Sequence, residues 1–379
     1  MTASDTVATT DTTTATGTTT ADTTADPTEA LLSPTKLGRI ELAHRVAMAP
    51  MTRSRATADG RVTDLTRTYY AQRASLAMLI TEGTQPSEDG QGYLTTPGIH
   101  TDEQADAWAR VADAVHEAGS TLVVQLMHVG RMSHPSNTPH GRQPLAPSAV
   151  AARGDMFTAT GPQPLALPRE MTEADLAQTI ADFRRAARLA VDAGADGVEL
   201  HGANGYLLQQ FLSTNANRRT DGYGGDLAGR IRFPVEVAAA VADEIGADRV
   251  GYRVSPGSPL GDIEETDVAE LYPALVRALA PLGLAYLHVV HLGDEALLRS
   301  IRDGWPTGLV LNRAGADIER RAQDVRDGLA DVVSVGQLAL ANPDLLDRIT
   351  AGAPMNDPDR STLYGGGERG YTDYPRLAA

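Results

Sequence analysis

The sequence predicts an α/β fold, a closed barrel of eight parallel strands with helices around it. Eight apolar runs have strand length and little polar alternation, as parallel strands covered on both faces do. Amphipathic segments with apolar residues three and four positions apart lie between them. Glycine stands where a helix should end, as in Glu117-Ala118-Gly119 before the third run. Eight strand-then-helix units favour a closed (β/α)8 TIM barrel over an open sheet.

The predicted elements follow in chain order. The strands are residues 46–49, 77–80, 121–126, 197–200, 250–254, 285–290, 308–311 and 331–335. The clearest helices are Asp106–Ala118, Glu173–Ala193 and Phe233–Ile245. Ahead of the first strand, Leu37–Ile40 is predicted to be half of a hairpin that closes the bottom of the barrel.

The connection after the third strand is long. From about Gly130 to Pro168 it is rich in proline and glycine, and Thr158 and Thr160 around Ala159 suggest a small hairpin. A connection of this length in a compact domain is usually a lid or a binding loop. We therefore predict a long capping loop after strand three.

Composition excludes several classes of protein. The chain has 379 residues, a formal charge of −16 and no cysteine. The negative charge argues against a nucleic-acid partner. Apolar runs stay shorter than the roughly eighteen residues of a membrane span, so no membrane association is predicted. Without cysteine there are no disulfides, no thiolate catalysis and no Cys-ligated zinc.

Residues 1–30 differ from the rest of the chain. They are mainly Thr, Ala and Asp, and they contain no Lys, Arg or aromatic residue. This composition predicts a disordered tail, and it lacks the features of a secretory signal or a transit peptide. We expect a tail over residues 1–30, one domain over residues 31–379 and a cytoplasmic location.

In barrels of this type the active site lies at the C-terminal ends of the strands. Amide, hydroxyl and guanidinium groups dominate there and carboxylates are few, which suits a flat, phosphorylated ligand better than a sugar or a divalent metal. Gly315 and Gly336 follow strands seven and eight, where such barrels bind phosphate through backbone N–H groups. The residues expected at this rim are Pro50–Thr52, Glu82–Thr84, Gln125, His128, His201, Asn204, Arg253, His288, His291, Asn312–Gly315, Gly336 and Gln337.

The strongest local signal is the segment from His201 to Leu212. His201 and Asn204 are three residues apart, so a helical turn would present both on one face as hydrogen-bond donors. Tyr206 is expected at the edge of the same opening. Two donors can polarise a carbonyl, and a phenol can supply a proton. From this motif alone, the alternative that His201 and Asn204 only tie a loop together stays open.

Further motifs occur in one order along residues 31–379. They are Ala49–Arg53, Thr81–Gln85, Gly92-Tyr93 with Pro97-Gly98, Gln125–Arg131, His201–Leu212, Asn217–Gly225, Arg253–Pro256, Ala341–Asp344 and Gly370–Pro375. Together they resemble the old yellow enzyme family, in particular its bacterial N-ethylmaleimide, pentaerythritol tetranitrate and morphinone reductases. The resemblance implies non-covalent FMN, with NADPH or NADH as reductant. It also implies activated alkenes as substrates: enones, maleimides and nitroalkenes, with nitrate esters as a further class.

The resemblance also implies roles for the cofactor-binding residues. Thr52 would hydrogen-bond the flavin carbonyl next to N5, while Gln125 and the backbone of Gly83 would hold the pyrimidine edge. Arg253 would face N1 and O2, where it stabilises the reduced flavin. The remaining expected cofactor contacts are Ala49, Pro50, Met51, Arg313, Gly315, Gly336 and Gln337.

For the substrate, the resemblance implies three catalytic residues and three lining residues. His201 and Asn204 would bind the carbonyl or nitro oxygen. Hydride would pass from flavin N5 to the β-carbon, and Tyr206 would protonate the α-carbon. The lining residues would be Tyr93, Met127 and Tyr371.

The sequence departs from the family pattern at two positions. Gln337 stands where the family usually has an arginine that contacts the FMN phosphate. Such a charge-assisted bond is worth about 1.5–3 kcal/mol, so we expect looser FMN binding unless Arg313 reaches the phosphate. Met127 stands where many relatives have tryptophan, which predicts a wider pocket. The family's other branch has cysteine at the Thr52 position, and this chain has none.

Two other functions compete with this interpretation. A barrel glycosidase would need two carboxylates about 5–10 Å apart at the strand ends. Glu82 and Glu199 are the available pair, and we interpret both as buried structural groups. A non-catalytic flavin-binding protein would not need Tyr206. No metal site is predicted, because the spacing of the histidines matches no common ligand pattern. The physiological substrate, the preferred nicotinamide cofactor and the choice between monomer and homodimer are not predicted.

Overall fold

The computed structural model describes residues 28–377. The predicted tail therefore lies outside the described residues, apart from its last three. Among those three residues, a short helix begins at Glu29. In this part of the chain no helix has the length and the apolar character needed to cross a membrane.

Strands and helices alternate along most of the described chain. The strands are β1 (Thr35–Leu37), β2 (Ile40–Leu42), β3 (Val46–Met48), β4 (Met78–Ile80), β5 (Thr121–Leu126), β6 (Leu145–Ala146), β7 (Asp155–Thr158), β8 (Gly161–Pro164), β9 (Arg169–Glu170), β10 (Gly197–Gly202), β11 (Val250–Val254), β12 (Tyr286–His291), β13 (Gly308–Arg313) and β14 (Val332–Val335). The helices are α1 (Glu29–Leu32), α2 (Asp64–Gln72), α3 (Asp102–Glu117), α4 (Glu173–Asp192), α5 (Leu207–Leu212), α6 (Leu227–Ile245), α7 (Val268–Leu279), α8 (Glu295–Gly304), α9 (Ile318–Arg326), α10 (Gln337–Ala341) and α11 (Leu345–Ala351).

Eight of these strands form a closed barrel in the order β3, β4, β5, β10, β11, β12, β13, β14 and back to β3. Every neighbouring pair in it is parallel. All eight predicted strands are present, so the predicted fold class is confirmed. The three predicted helices are present as α3, α4 and α6. Helix α6 begins earlier than predicted, at Leu227, because the side chain of Asp226 caps it through the N–H of Gly229.

Alternate residues of each barrel strand face the interior. At the bottom, apolar side chains from the strands pack with the β1–β2 hairpin. The predicted hairpin is present, but Leu37–Ile40 spans its turn instead of forming one of its strands, because Leu37 ends β1 and Ile40 begins β2. This cluster consists of Leu37, Ile40, Leu42, Ala47, Ala77, Met78, Ile80, Val123, Ala285, Tyr286, Val310 and Val332. Apolar side chains fill the lower half of the barrel. The polar inward-facing residues therefore lie in its upper half.

The connection from β5 to α4 contains four short strands. Strands β7 and β8 pair antiparallel on either side of Ala159, so the predicted hairpin is present. Met156 of β7 packs with Ala152 and Leu165, and Tyr93 packs against this cluster. That the connection acts as a cap stays a prediction.

Candidate active site

A cavity of about 430 Å³ opens at the C-terminal ends of the barrel strands. Its wall combines residues from distant parts of the sequence, since the ends of parallel strands meet at one rim. Of the residues predicted for the site, it brings together Pro50, Met51, Thr52, Tyr93, Gln125, Met127, His201, Asn204, Tyr206, Arg253 and Gln337. The remaining six, Ala49, Gly83, Arg313, Gly315, Gly336 and Tyr371, are outside this lining.

The turn after β10 places His201 and Asn204 in the cavity, and it differs from the predicted helical turn. His201 is still part of strand β10, whereas Asn204 has a left-handed backbone with φ of 56°. The N–H of Asn204 donates to the hydroxyl of Ser255 at 2.9 Å, which holds this conformation. Gly205 must be glycine, because a Cβ there would lie 2.3 Å from the carbonyl oxygen of Leu260. The two side chains therefore meet through a strand end and a fixed turn.

His201 is a neutral imidazole at ordinary pH. Burial, reinforced by the positive charge of Arg253, lowers the pKa of His201 to about 3. Its Nδ1 atom is buried and has no partner within the described residues. A neutral imidazole keeps one N–H donor, so His201 can donate to a ligand oxygen without bringing a charge.

Tyr206 faces the same cavity from the start of α5. Its hydroxyl lies 3.1 Å from the hydroxyl of Tyr93, and its ring centre lies 5.0 Å from that of His201. Burial raises the pKa of Tyr206 well above the ordinary value for a phenol. The hydroxyl therefore keeps its proton and can donate it only to a base generated in the cavity.

Arg253 and Gln125 project inward below the rim. The guanidinium of Arg253 is buried, and no hydrogen bond to another residue is made by its side chain in the described chain. Burial lowers the pKa of Arg253, while the charge of Glu199 opposes this effect. The amide nitrogen of Gln125 donates to Glu199 at 2.8 Å, and its carbonyl oxygen has no hydrogen-bond partner in the part of the chain that the structure describes. A flat ligand with acceptor atoms toward Arg253 and an N–H toward Gln125, such as the pyrimidine edge of a flavin, fits this pair.

Glu199 belongs to a buried network beneath these groups. It accepts hydrogen bonds from Tyr286 at 3.1 Å and from Nδ1 of His288 at 2.8 Å, and Nε2 of His288 contacts the Ser334 hydroxyl. Burial alone would raise the pKa of Glu199, but its hydrogen-bond partners outweigh this effect and lower the pKa, so the carboxylate stays ionised.

Glu82 is also fully buried, and it accepts a hydrogen bond from the backbone N–H of Arg53 at 2.9 Å. Neither carboxylate lines the cavity, so the glycosidase alternative lacks its acid–base pair.

The remaining backbone positions of the predicted cofactor site lie just after the C-terminal ends of barrel strands. Gly336 directly precedes Gln337, and Gly315 follows β13. Ala49 is inward-facing and buried.

The Met127 side chain lies so close to Gly83 that a Cβ on Gly83 would be 2.4 Å from the Met127 sulfur. Glycine at position 83 thus lets the Met127 side chain lie across the end of β4.

The structure corrects the expectation that the Arg313 side chain reaches the phosphate. Its guanidinium donates to Asp324 at 2.6 Å and to Glu295 at 2.7 Å. Because side chains alternate along β13, Asn312 faces the barrel interior and Arg313 faces the surrounding helices. Arg313 is therefore held by two carboxylates on the outside of the barrel.

Tyr371 is also corrected as a pocket residue. It is fully buried, and its ring stacks on Tyr69 with ring centres 4.2 Å apart. Tyr364, seven residues earlier, lines the cavity instead and is 69% exposed. The sequence signal for it was an aromatic residue directly before three glycines. Other lining residues that sequence reasoning missed are Met132, Leu260, Gly261, Leu340 and Leu363.

A rim cavity that combines a buried guanidinium, an amide, a histidine and a tyrosine is typical of barrel enzymes that bind a flat, acceptor-rich cofactor. Comparison with known proteins agrees with this class. Residues 30–356 match the NADH:flavin oxidoreductase / NADH oxidase family. The chain belongs to this family, and the resemblance to old yellow enzyme is confirmed. It is an oxidoreductase with FMN as its cofactor and a reduced nicotinamide nucleotide as its reductant.

Individual relatives cover nearly the whole chain. The rice (Oryza sativa subsp. japonica) protein 12-oxophytodienoate reductase 1 is 42% identical over 359 residues, which are 92% of this chain and 93% of the relative. A probable flavin mononucleotide-dependent alkene reductase of Leishmania infantum is 40% identical over 356 residues, 92% of this chain and 97% of the relative.

Solved structures give the same result. Morphinone reductase in complex with tetrahydroNAD has a TM-score of 0.88 and 42% identity, covering 92% of this chain and 98% of that one. The old yellow enzyme homologue from Zymomonas mobilis has a TM-score of 0.88 and 35% identity, covering 91% and 99%.

Proposed function

We propose that the protein is an ene-reductase that transfers hydride from NADH or NADPH, by way of FMN, to the β-carbon of activated alkenes. The observation that carries this proposal is the pairing of a neutral His201 with a protonated Tyr206 in one cavity. The names of the alkene reductase and of the 12-oxophytodienoate and morphinone reductases among its relatives support the same reaction class. Enones, maleimides, nitroalkenes and nitrate esters are the proposed substrates.

In the proposed mechanism, bound FMN supplies the hydride. Gln125 and Arg253 would hold its pyrimidine edge, since the carbonyl oxygen of Gln125 and the guanidinium of Arg253 have no hydrogen-bond partner among residues 28–377. A fixed guanidinium at that edge favours the negative charge that develops on reduction. Thr52, which lines the same cavity, would hydrogen-bond the carbonyl beside the reacting nitrogen.

His201 and Asn204 would hold the substrate oxygen. Both side chains face the cavity, and the described residues offer no protein partner to Nδ1 of His201. Two neutral donors on a carbonyl or nitro oxygen withdraw electrons from the conjugated double bond, which makes its β-carbon a better hydride acceptor. They also stabilise the oxyanion that forms when hydride arrives.

Tyr206 would complete the reaction by giving its hydroxyl proton to the α-carbon. Burial keeps this proton in place until the carbanion forms. The Tyr93 hydroxyl, 3.1 Å away, is placed to donate to the resulting phenolate and so to return a proton.

The first test is an absorbance spectrum of the purified protein with and without added FMN. We expect flavin bands that bleach with NADH or NADPH and recover when N-ethylmaleimide or 2-cyclohexenone is added. Bands that bleach and then recover only with oxygen would support a flavin oxidase and contradict the alkene reaction. A protein that binds no flavin under any condition would contradict the proposal as a whole.

A further inference from the structure

Arg321 of helix α9 is a buried cation held by backbone carbonyl groups. Its side chain lies between the ends of β13 and β14, and the residue is 5% exposed. One guanidinium nitrogen donates to the carbonyl oxygen of Ser334 at 3.0 Å, and another donates to that of Arg313 at 2.5 Å. Its Nε atom is buried without a partner in residues 28–377.

Arg321 differs from the two neighbouring arginines in its counter-ions. Arg313 contacts Asp324 and Glu295, and Arg320 lies 3.2 Å from Asp324 and 3.4 Å from Glu295. Within the described residues no ion pair with a carboxylate is made by Arg321.

Three cations therefore share two carboxylates in this cluster. Asp317, the remaining acid nearby, is exposed to water at the start of α9. Burying a guanidinium that contacts no carboxylate is costly. Burial lowers the pKa of Arg321, and the charge of Asp324 only partly opposes this effect. The cluster therefore carries one positive charge more than its two carboxylates balance.

Arg321 can act on the end of β13 through the peptide group that joins Arg313 to Ala314. The carbonyl of Arg313 and the N–H of Ala314 belong to one trans peptide group, so they point in opposite directions. Arg321 binds the carbonyl side, and the N–H of Ala314 points away from it. Ala314 and Gly315 are exposed, and their N–H groups have no partner in the described chain. A cation on the carbonyl side polarises such a peptide and strengthens the hydrogen bond that its N–H can donate.

We propose that Arg321 is the cation that stabilises the FMN phosphate, acting from behind the ends of β13 and β14 in place of an arginine at position 337. The proposal rests on FMN as the cofactor. The phosphate would accept from backbone N–H groups after β13 and β14, and its charge would balance that of Arg321. Arg321 acts through the peptide groups and through space, so it is a positioning residue and not a catalytic one.

The test compares the dissociation constants of FMN and riboflavin, which differ only in the phosphate. In Arg321→Met we expect FMN to bind about tenfold more weakly, a loss of about 1.4 kcal/mol, and riboflavin to bind within about twofold of the wild-type value. Arg321→Lys keeps the charge and should keep most of the preference for FMN. The matched control is Arg326→Met, which removes an exposed cation of the same helix outside this cluster and should leave the FMN-to-riboflavin ratio unchanged.

The variant Gln337→Arg tests the proposal by adding a cation at the proposed phosphate site instead of removing one. It should tighten FMN binding in the wild-type background and restore it in Arg321→Met, again without an effect on riboflavin. An FMN-to-riboflavin ratio that is the same in Arg321→Met and in the wild type would overturn the proposal.

A measurement on the wild-type holoenzyme does not depend on the folding of a variant. If Arg321 acts as proposed, the phosphorus NMR shift of bound FMN should show a dianion well below the usual second pKa of about 6. A bound phosphate that titrates near 6 would overturn the proposal even though FMN binds. Wild-type protein that binds neither FMN nor riboflavin would contradict the proposed function itself, which distinguishes the two failures.

Discussion

Tyr206 owes its raised pKa mainly to burial rather than to a charged neighbour. Burial is the largest cause of its raised pKa, and the nearby phenol of Tyr93 adds to it. A phenol in water has a pKa of about 10 and is therefore already protonated at neutral pH. Burial raises the free energy of the phenolate further, because it removes water from the charged form. Tyr206 can therefore release its proton only when hydride transfer has produced a strong carbon base beside it.

Replacing Tyr206 tests this role directly. We expect Tyr206→Phe to slow reduction of 2-cyclohexenone by roughly 100-fold or more, because general acid catalysis is lost. Reduction of the flavin by NADH or NADPH should stay within about twofold of wild type, since that step needs no such proton. Stopped-flow absorbance separates the two half-reactions.

Tyr93→Phe is the matched control for this prediction. It removes the hydroxyl 3.1 Å from that of Tyr206 but keeps the proposed donor, so its effect on alkene reduction should be clearly smaller. Equal losses in the two variants, or an equal loss in both half-reactions of Tyr206→Phe, would argue against Tyr206 as the proton donor.

Met127 lines the cavity on the side of β4 and β5. Its flexible side chain lies against Gly83. We expect Met127→Trp to narrow the pocket and to lower kcat/KM for bulky enones about tenfold more than for 2-cyclohexenone. Steady-state kinetics on an enone series of increasing size measures this. A wild-type enzyme that is no faster on bulky enones than the Trp variant would contradict the prediction of a wider substrate range.

At the scale of elements, the β7–β8 hairpin supports one wall of the site. Its two faces differ: Met156 is 2% exposed and packs in the cluster that contacts Tyr93, whereas Phe157 is 75% exposed. Because Tyr93 lines the cavity, the hairpin is linked to the site through packing and not through a residue of its own. This makes Met156 and Phe157 a matched pair for testing the connection.

We expect Met156→Ala to raise KM for 2-cyclohexenone several-fold, because the loss of a buried side chain lets Tyr93 move. The midpoint of thermal unfolding should fall by only a few degrees, since this cluster lies apart from the barrel core. Phe157→Ala should change neither quantity. An unchanged KM in Met156→Ala would mean that Tyr93 keeps its position without the Met156 side chain, and so would contradict the proposed link between the hairpin and the site.

For the whole molecule, buried neutral histidines link folding to pH. Burial lowers the pKa of His128 to about 4, well under the unperturbed value of about 6.5. The folded protein therefore keeps the ring neutral between these values, while the unfolded chain takes up a proton there. Stability that is fully present above about pH 6.5 is lost as the pH falls toward 4, at about 1.4 kcal/mol per pH unit.

The His128→Gln variant removes this titration. Between pH 7 and pH 5 we expect the free energy of unfolding of the variant to fall about 2 kcal/mol less than that of the wild type. Urea unfolding of both proteins with excess FMN gives the comparison, and the other buried groups cancel in the difference. Identical pH dependence in the two proteins would show that His128 is not neutral in the folded state.

Features that depend on a few neighbouring residues could be predicted from the sequence. The eight strands and the helices α3, α4 and α6 depend on apolar patterning over a few residues, and the chain order of the strands then determines which ends share a rim. Residues as far apart as Thr52 and Gln337 can therefore be assigned to one site from the sequence alone. The motif around His201 and Tyr206 is located in the same way.

The barrel, its C-terminal rim and most of the cavity residues could be predicted without a structure. The direction of individual side chains could not, because it depends on how the strands and loops are assembled. Whether Arg313 faces the barrel or the helices depends on the strand register, in which a one-residue shift reverses every side chain. Which of Tyr364 and Tyr371 reaches the cavity depends on how an irregular C-terminal segment packs against α2, and no local periodicity encodes that packing. Such contacts are set by the combined shape of many distant residues, so they could not be predicted from any one segment of the chain.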